Sequence, residues 1–243
     1  MMLFNPETYV LHHKRAQKTF CDHAFLFDHV GHELIERVKD IKQSFKKILN
    51  LSPYFLDCHP HFSTCYPCSR DNNWVSEDTS FDLILSCLYA HWVNDFPGLL
   101  SNIRRCLRKE GLFLGALWGG NTLFELRESL LQAELSLKGG ASPRIAPMLQ
   151  ISDAPLLLAR AGFANPVVDT ERLTVTYKSL WSLMKDLRGM GETNKLCGRV
   201  KTFTPSRLFE KAEEIYQESF GRGNGTLPAT FEVVYLTGWA SAG

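Results

Sequence analysis

Five thiol and imidazole side chains crowd into eleven residues: Cys58, His59, His61, Cys65 and Cys68. Cys58, His61, Cys65 and Cys68 could close tetrahedrally around zinc, and the Cys65-x-x-Cys68 step has knuckle-like spacing. A second Cys-x-x-Cys pair is missing, so inert thiols in a short loop are the competing reading. His91 and Trp92 follow the apolar run Phe81 to Leu88, and Gly119, Gly120 and Asn121 follow the run Leu112 to Trp118. If both runs are parallel strands, these residues sit at the carboxyl edge, where open α/β sheets bind ligands. Trp92 covering the edge and His91 capping it would satisfy the same pattern. The word Gly189 to Asn194 (GMGETN) permits a tight loop that presents Glu192, or simply a glycine-terminated helix.

The chain that must position these groups has 243 residues, enough for a buried core without disulfides or a structural metal. A 44% hydrophobic and 22% charged composition excludes disordered, collagen-like and coiled-coil classes. Lys plus Arg is 27 and Asp plus Glu is 26, so no global field favours nucleic acid or an anionic membrane. The densest basic run, Arg104, Arg105, Arg108 and Lys109, lacks interleaved aromatics and reads as a solvated helix face, not a nucleic-acid site. No apolar run is long enough to span a membrane. The seven cysteines are odd in number and scattered, which argues against a disulfide framework and makes a reducing cytoplasm the expected setting. Residues 1–20 lack the pattern of a secretory signal.

Helical periodicity covers Lys14 to Phe27 and His29 to Leu49. Between Leu51 and Ser80 it breaks down, with only Tyr54 to Leu56 suited to a short strand. Phe81 to Leu88 then reads as a strand buried on both faces. A helix capped by Asn94 or Asp95 follows, with Arg108 and Lys109 in its last turn and Gly111 past its end, before the strand Leu112 to Trp118. Strand, helix, strand with short joints is a parallel crossover, so the class is α/β. Thr122 and Glu125 make a capping-box pattern for a helix ending at Gly139. Ser152 to Gly162 reads as helix, Pro166 to Tyr177 as strand, Ser179 to Leu187 and Pro205 to Phe220 as helices, and Phe231 to Trp239 as a closing strand.

The stretch Phe81 to Arg127 resembles the fourth strand, following helix and fifth strand of class I S-adenosylmethionine-dependent methyltransferases. Ser142 to Pro147 (SPRIAP), Ala161 to Phe163 (AGF), Asp186 to Asn194 (DLRGMGETN) and Leu227 to Trp239 (LPATFEVVYLTGW) are similar, in the same order, to the branch of respiratory complex I assembly factors that hydroxylate protein arginine. That branch is related to the carrier-protein methyltransferases of biotin synthesis. The resemblance implies a Rossmann-like sheet with helices on both faces and helical insertions. With no internal repeat or interdomain linker in the sequence, one methyltransferase-like domain, residues 1–243, is expected, with amino-terminal helices (1–46), core (47–177), helical insertion (178–226) and closing strand (227–243). The resemblance also implies S-adenosylmethionine as cofactor and a protein substrate or respiratory-complex subunit as partner. Leu88, His91 and Trp92 would border the cofactor, and Gly119, Gly120, Asn121, Gly191, Glu192 and Asn194 the substrate. The family usually has Asp where this chain has Asn121, which removes a base or cation partner.

The departure is at the first strand. Family members place a glycine-rich loop there, whose backbone N–H groups hold the methionine part of the cofactor. Here the first-strand candidate Lys47 to Leu51 runs into Ser52 and Pro53, and no glycine occurs between Gly31 and Gly98. Only 30 residues separate Asn50 from Phe81, whereas one βαβ unit takes roughly 30 or more. The sheet is therefore expected to be truncated near its first crossover and cofactor binding weakened. In the alignment that deletes the loop, Tyr54 to Asp57 stands for the second strand. Asp57 would then accept hydrogen bonds from the ribose, and Asp71 would lie near the adenine amino group; solvated loop acids are the other reading. Three classes stay open: an S-adenosylmethionine-dependent enzyme acting by arginine hydroxylation or methyl transfer, a non-catalytic assembly scaffold, and a zinc-stabilised interaction module. A second copy covering the shortened sheet would make a homodimer.

Overall fold

The computed structural model describes residues 2–52 and 80–241. In chain order the elements are α1 (Pro6–Ala16), α2 (Phe20–His23), α3 (Phe25–Asp40), β1 (Ile48–Asn50), β2 (Phe81–Cys87), α4 (Phe96–Cys106), β3 (Leu107–Trp118), α5 (Phe124–Lys138), α6 (Ala154–Arg160), β4 (Phe163–Tyr177), α7 (Leu180–Gly189), α8 (Ser206–Phe220) and β5 (Leu227–Ala240). Single 3-10 turns lie at Ala90–Trp92 and Ile151–Asp153. The chain forms two compact units. One holds Met1–Ala24, Asn121–Met148 and Arg172–Glu232; the other holds Phe25–Gly120, Leu149–Glu171 and Val233–Gly243.

The second unit is built on the parallel strands. The five-stranded sheet runs β1-β2-β3-β5-β4, with β1, β2 and β3 parallel and β5 antiparallel to β3. Ile48 pairs with Leu83 and Asn50 with Leu85. All seven residues of β2 are buried, as a central parallel strand requires. α3 packs on β2 and β3 through a stripe of Leu26, Phe27, Val30 and Leu34. α4 packs on β3 through Leu99, Leu100, Ile103 and Cys106, each buried aliphatic group contributing about 2 kcal/mol. Asp95 caps α4 by accepting from the Gly98 N–H at 2.9 Å, with Pro97 in the first turn. Across the β3/β5 pair the Phe163 ring lies against Gly238 and 5.6 Å from the Phe113 ring.

The first unit is mostly helical. α5 packs on α8, whose Leu208, Ala212 and Tyr216 are buried, and the Tyr216 hydroxyl donates to Pro228 O at 2.8 Å. Ser179 and Ser182 form a reciprocal capping box on α7, and Glu213 of α8 accepts from the Leu180 N–H at 3.0 Å. Asn5 caps α1 and donates its own N–H to Lys195 O at 2.9 Å, which ties the amino-terminal segment to the chain beyond α7.

Several elements differ from the sequence expectation. The helix preceding β3 ends at Cys106, so Arg108, Lys109 and Glu110 belong to the strand and not to a last helical turn. Long-range pairing decides this: Leu107 registers with Phe81, and Arg108 ion-pairs with Asp82. Helix periodicity also overran the amino-terminal pair. α3 stops at Asp40, short of Leu49, and Ile48–Asn50 is strand through its pairing with β2, within the first-strand candidate Lys47 to Leu51. The Thr122/Glu125 capping box does not form. Thr122 Oγ1 donates to Glu232 O at 3.1 Å and Glu125 accepts from Thr230, while Leu123 opens α5 in the left-handed region with no side-chain cap. The expected strand at Tyr54 to Leu56 lies outside the described residues.

Candidate functional site

The three parallel strands of the second unit end along one edge in a stagger, β1 level with Leu85 and β3 two residues beyond the partner of Cys87. Beyond β1, Asn50 Oδ1 accepts from the Ser52 N–H at 2.9 Å, and Ser52 Oγ accepts from the Cys87 N–H at 2.5 Å. The Leu51 N–H donates to Leu85 O at 2.9 Å. Two buried polar side chains therefore splice the carboxyl ends of β1 and β2 where parallel pairing stops, and this satisfies groups that would otherwise be costly to bury. The Cys87 thiol at this junction is pushed up by burial, reinforced by the Asp28 carboxylate, so it stays protonated and inert.

Past β2 the backbone turns sharply. Leu88 is buried at φ +47°, in the left-handed region that costs a non-glycine residue roughly 1–2 kcal/mol, and its N–H donates to Ala116 O at 2.8 Å. Such strain persists only where the surroundings enforce it, and it concentrates at ligand sites. The Ala90–Trp92 turn follows directly. It places the His91 ring 5.1 Å from Trp92 and 6.2 Å from Trp118, the last residue of β3. His91 is 6% exposed and both tryptophans 2%, so the edge is a packed aromatic ledge. Gly119 forms a parallel bridge with Leu149, and at Gly120 a Cβ would run into the Gln150 side chain. Leu88, His91, Trp92, Gly119 and Gly120 thus lie in the same unit, following the ends of β2 and β3.

The remaining candidates belong to the first unit. Asn121 is clamped by the Glu232 carboxylate, which accepts from its Nδ2 at 2.8 Å and from its N–H at 3.1 Å. Glu232 is 4% exposed, with Arg172 3.8 Å away. Position 121 is thus a neutral amide fixed by a buried carboxylate. Gly191 turns the chain at φ +74°, as the GMGETN loop requires. Glu192 points inward to Lys195 at 3.5 Å, and Asn194 donates to Pro143 O at 2.8 Å while accepting from the Leu196 N–H. Glu192 therefore holds a buried cation, and Asn194 holds backbone.

Asp57, Asp71 and the Cys58–Cys68 cluster lie outside the described residues. Among the described residues no group of three or more His, Cys, Asp or Glu side chains could hold a metal. The sequence reading missed Asn50, Ser52 and Glu232. The first two carry a usable signal, small polar side chains closing an apolar strand; Glu232 sits in the apolar run FEVVYL, where an isolated carboxylate predicts a buried partner.

Parallel strands β1, β2 and β3, with an antiparallel strand inserted beside β3, define a Rossmann-like methyltransferase-type fold. Residues 68–115 match the family described as Methyltransferase domain. The fold is similar to that of YcgJ from Bacillus subtilis, at TM-score 0.52 and 14% identity over 87% of this chain and 99% of that one. The chain belongs to the class I S-adenosylmethionine-dependent methyltransferase superfamily, near the proteins named Arginine-hydroxylase NDUFAF5, mitochondrial. It is 36% identical to that protein of Danio rerio over 222 residues, covering 90% of this chain and 66% of the relative. To that of Homo sapiens it is 42% identical over 163 residues, 67% of this chain and 47% of the relative. A Malonyl-[acyl-carrier protein] O-methyltransferase of Xylella fastidiosa is 37% identical over 163 residues, 67% of this chain and 53% of the relative. The chain spans about half the length of most of these relatives.

Proposed function

We propose that this chain is an S-adenosylmethionine-binding protein of the complex I assembly-factor type that modifies a protein substrate, by arginine hydroxylation or methyl transfer. The observation that carries the reading is the strained, buried Leu88 turn with its His91, Trp92 and Trp118 ledge at the ends of β2 and β3. In a doubly wound sheet this is where a nucleoside is held. Leu88, His91 and Trp92 would border the adenosine, and Gly119 and Gly120 would lie on the substrate side. For methyl transfer the cofactor, when bound, would supply an electrophilic methyl group on a sulfonium centre; arginine hydroxylation would need a separate oxidant. The chain's own contribution is positioning and exclusion of water, which such transfer mainly needs. Asp57 and Asp71 remain our candidates for the ribose and adenine contacts, and Asn121, Gly191, Glu192 and Asn194 for the substrate side.

The length from Asn50 to Phe81 leaves no room for a complete glycine loop and crossover helix, so affinity should be lower than that of a full-length relative. Each lost charge-assisted donor to the cofactor carboxylate weakens binding by roughly tenfold. Isothermal titration with S-adenosylmethionine and S-adenosylhomocysteine tests this. Saturable heat that is weaker than for a complete relative supports the reading. No heat at about 1 mM ligand would leave the non-catalytic scaffold in its place. A respiratory-complex subunit is the partner class we infer, and light scattering decides whether a second copy covers the sheet edge. No helix among the described residues is long and apolar enough to cross a membrane. The scattered cysteines favour a reducing compartment; fractionation distinguishes cytoplasm from the mitochondrion for which the relatives are named.

A further inference from the structure

In the first unit, α1, α2 and α7 border an open cavity of about 520 Å3 that the proposed cofactor chemistry does not use. Its walls carry Lys14 and Arg15 from the end of α1, Lys18 from the following turn, and Lys185 and Arg188 from α7. Among the described residues none of these five cations has an ion-pair partner. The carboxylates on α2 and α7 offset them only in part: Asp186 keeps its charge while hydrogen-bonded to His23 Nδ1 at 2.7 Å, and Asp22 is exposed on α2 and lines no part of the cavity. Helix C-termini favour cations on each helix separately. The convergence of two such sets on one concavity is a different matter: all five side chains are exposed, so solvent screens their mutual repulsion without removing it, and a bound counter-charge relieves it most at low ionic strength.

The rest of the wall is shaped for the same purpose. His23 lines the cavity with its ring held by Asp186, which leaves Nε2 as the second polar atom of the ring. That position exists because residue 189 is glycine: a Cβ there would overlap the His23 ring. Two guanidinium forks with ammonium groups around them match a tetrahedral polyanion better than a lone carboxylate, since forks bind oxygens in pairs and a phosphate offers more of them. The volume falls in the range of small-molecule sites.

We propose that the α1/α2/α7 cavity is an anion site that takes the phosphate group of a small soluble ligand. The shared chemistry also admits a lipid phosphate, so the test separates the two. Inorganic pyrophosphate is titrated calorimetrically into the full chain at low ionic strength. One saturable site is expected, with affinity at least about tenfold weaker in R15Q/R188Q and unchanged in K39Q, whose side chain lies on α3. G189A, which alters no charge, should also weaken binding by displacing His23. The absence of heat from pyrophosphate, or equal affinity in R15Q/R188Q, would overturn the proposal. So would sedimentation with phosphatidic-acid vesicles in the absence of pyrophosphate binding. Because no S-adenosylmethionine is present, the outcome is independent of the cofactor reading.

Discussion

Glu192 and Lys195 form an ion pair 3.5 Å apart with side-chain exposures of 4% and 0%. The ammonium also lies 5.5 Å from the Tyr9 ring, while the backbone carbonyl of Lys195 anchors Asn5. Burial lowers the Lys195 pKa to about 8, against the opposing pull of Glu192. The folded pKa lies below the unfolded one, so this group's contribution to stability is fully present above about 10.5 and is lost as pH falls to about 8. E192Q leaves the buried ammonium without its carboxylate and should cost about 3–5 kcal/mol in urea denaturation at pH 7. E192L/K195M should recover most of it. A loss below about 0.5 kcal/mol would assign Glu192 to something other than holding Lys195.

Glu134 should dominate acid sensitivity in the first unit. Burial alone would raise its pKa, but hydrogen bonds from Ser142 and Arg144, at 2.7 Å each, bring it down to about 2. Its folded pKa is thus depressed, so its stabilisation is complete above the ordinary value of 4.5 and disappears as pH falls toward about 2. E134Q is expected to lower stability at pH 7 and flatten the pH dependence across that window, read by thermal melts at successive pH values. A wild-type slope retained in E134Q would contradict the assignment.

These pairs show where sequence legibility ends. β2 was readable because a strand buried on both faces must be apolar throughout, and the start of α4 because Asp95 and Pro97 are local signals. The end of α4 was not, since Leu107 and Arg108 are claimed by Phe81 and Asp82, partners far away in sequence. Thr122 and Glu125 have the spacing of a cap, yet β5 offers them Thr230 and Glu232, and buried polar satisfaction outweighs a cap worth about 1 kcal/mol. At the candidate site the strand ends were legible from His91, Trp92 and Gly119. The role of Glu192 was not, because periodicity cannot tell whether a loop carboxylate faces solvent or a buried lysine.

Packing beside β5 is testable at Gly238. A Cβ there would lie 2.7 Å from Phe163 Cδ1 and 2.8 Å from Cγ, closer than carbon atoms tolerate. G238A should therefore cost about 1–3 kcal/mol by chemical denaturation. Pairing it with F163L should return part of that loss, giving a coupling energy between the two positions. Strictly additive losses would show that the ring does not fill the glycine's space.

Ser52 offers the sharpest test of the strand edge as a cofactor seat. Its hydroxyl accepts the Cys87 N–H, the last residue of β2 before the strained Leu88 turn, and its own N–H is held by Asn50. S52A leaves the Cys87 N–H buried and unpaired, which should cost about 1–3 kcal/mol of stability, whereas S52T retains the oxygen. A merely structural role ends there. If the adenosine lies against this edge, loosening the β1/β2 splice also misplaces Leu88 and His91. S-adenosylhomocysteine affinity, measured well below the melting temperature where the variant is fully folded, should then fall roughly tenfold in S52A and return in S52T. Destabilisation with affinity unchanged would move the cofactor away from the ends of β1 and β2.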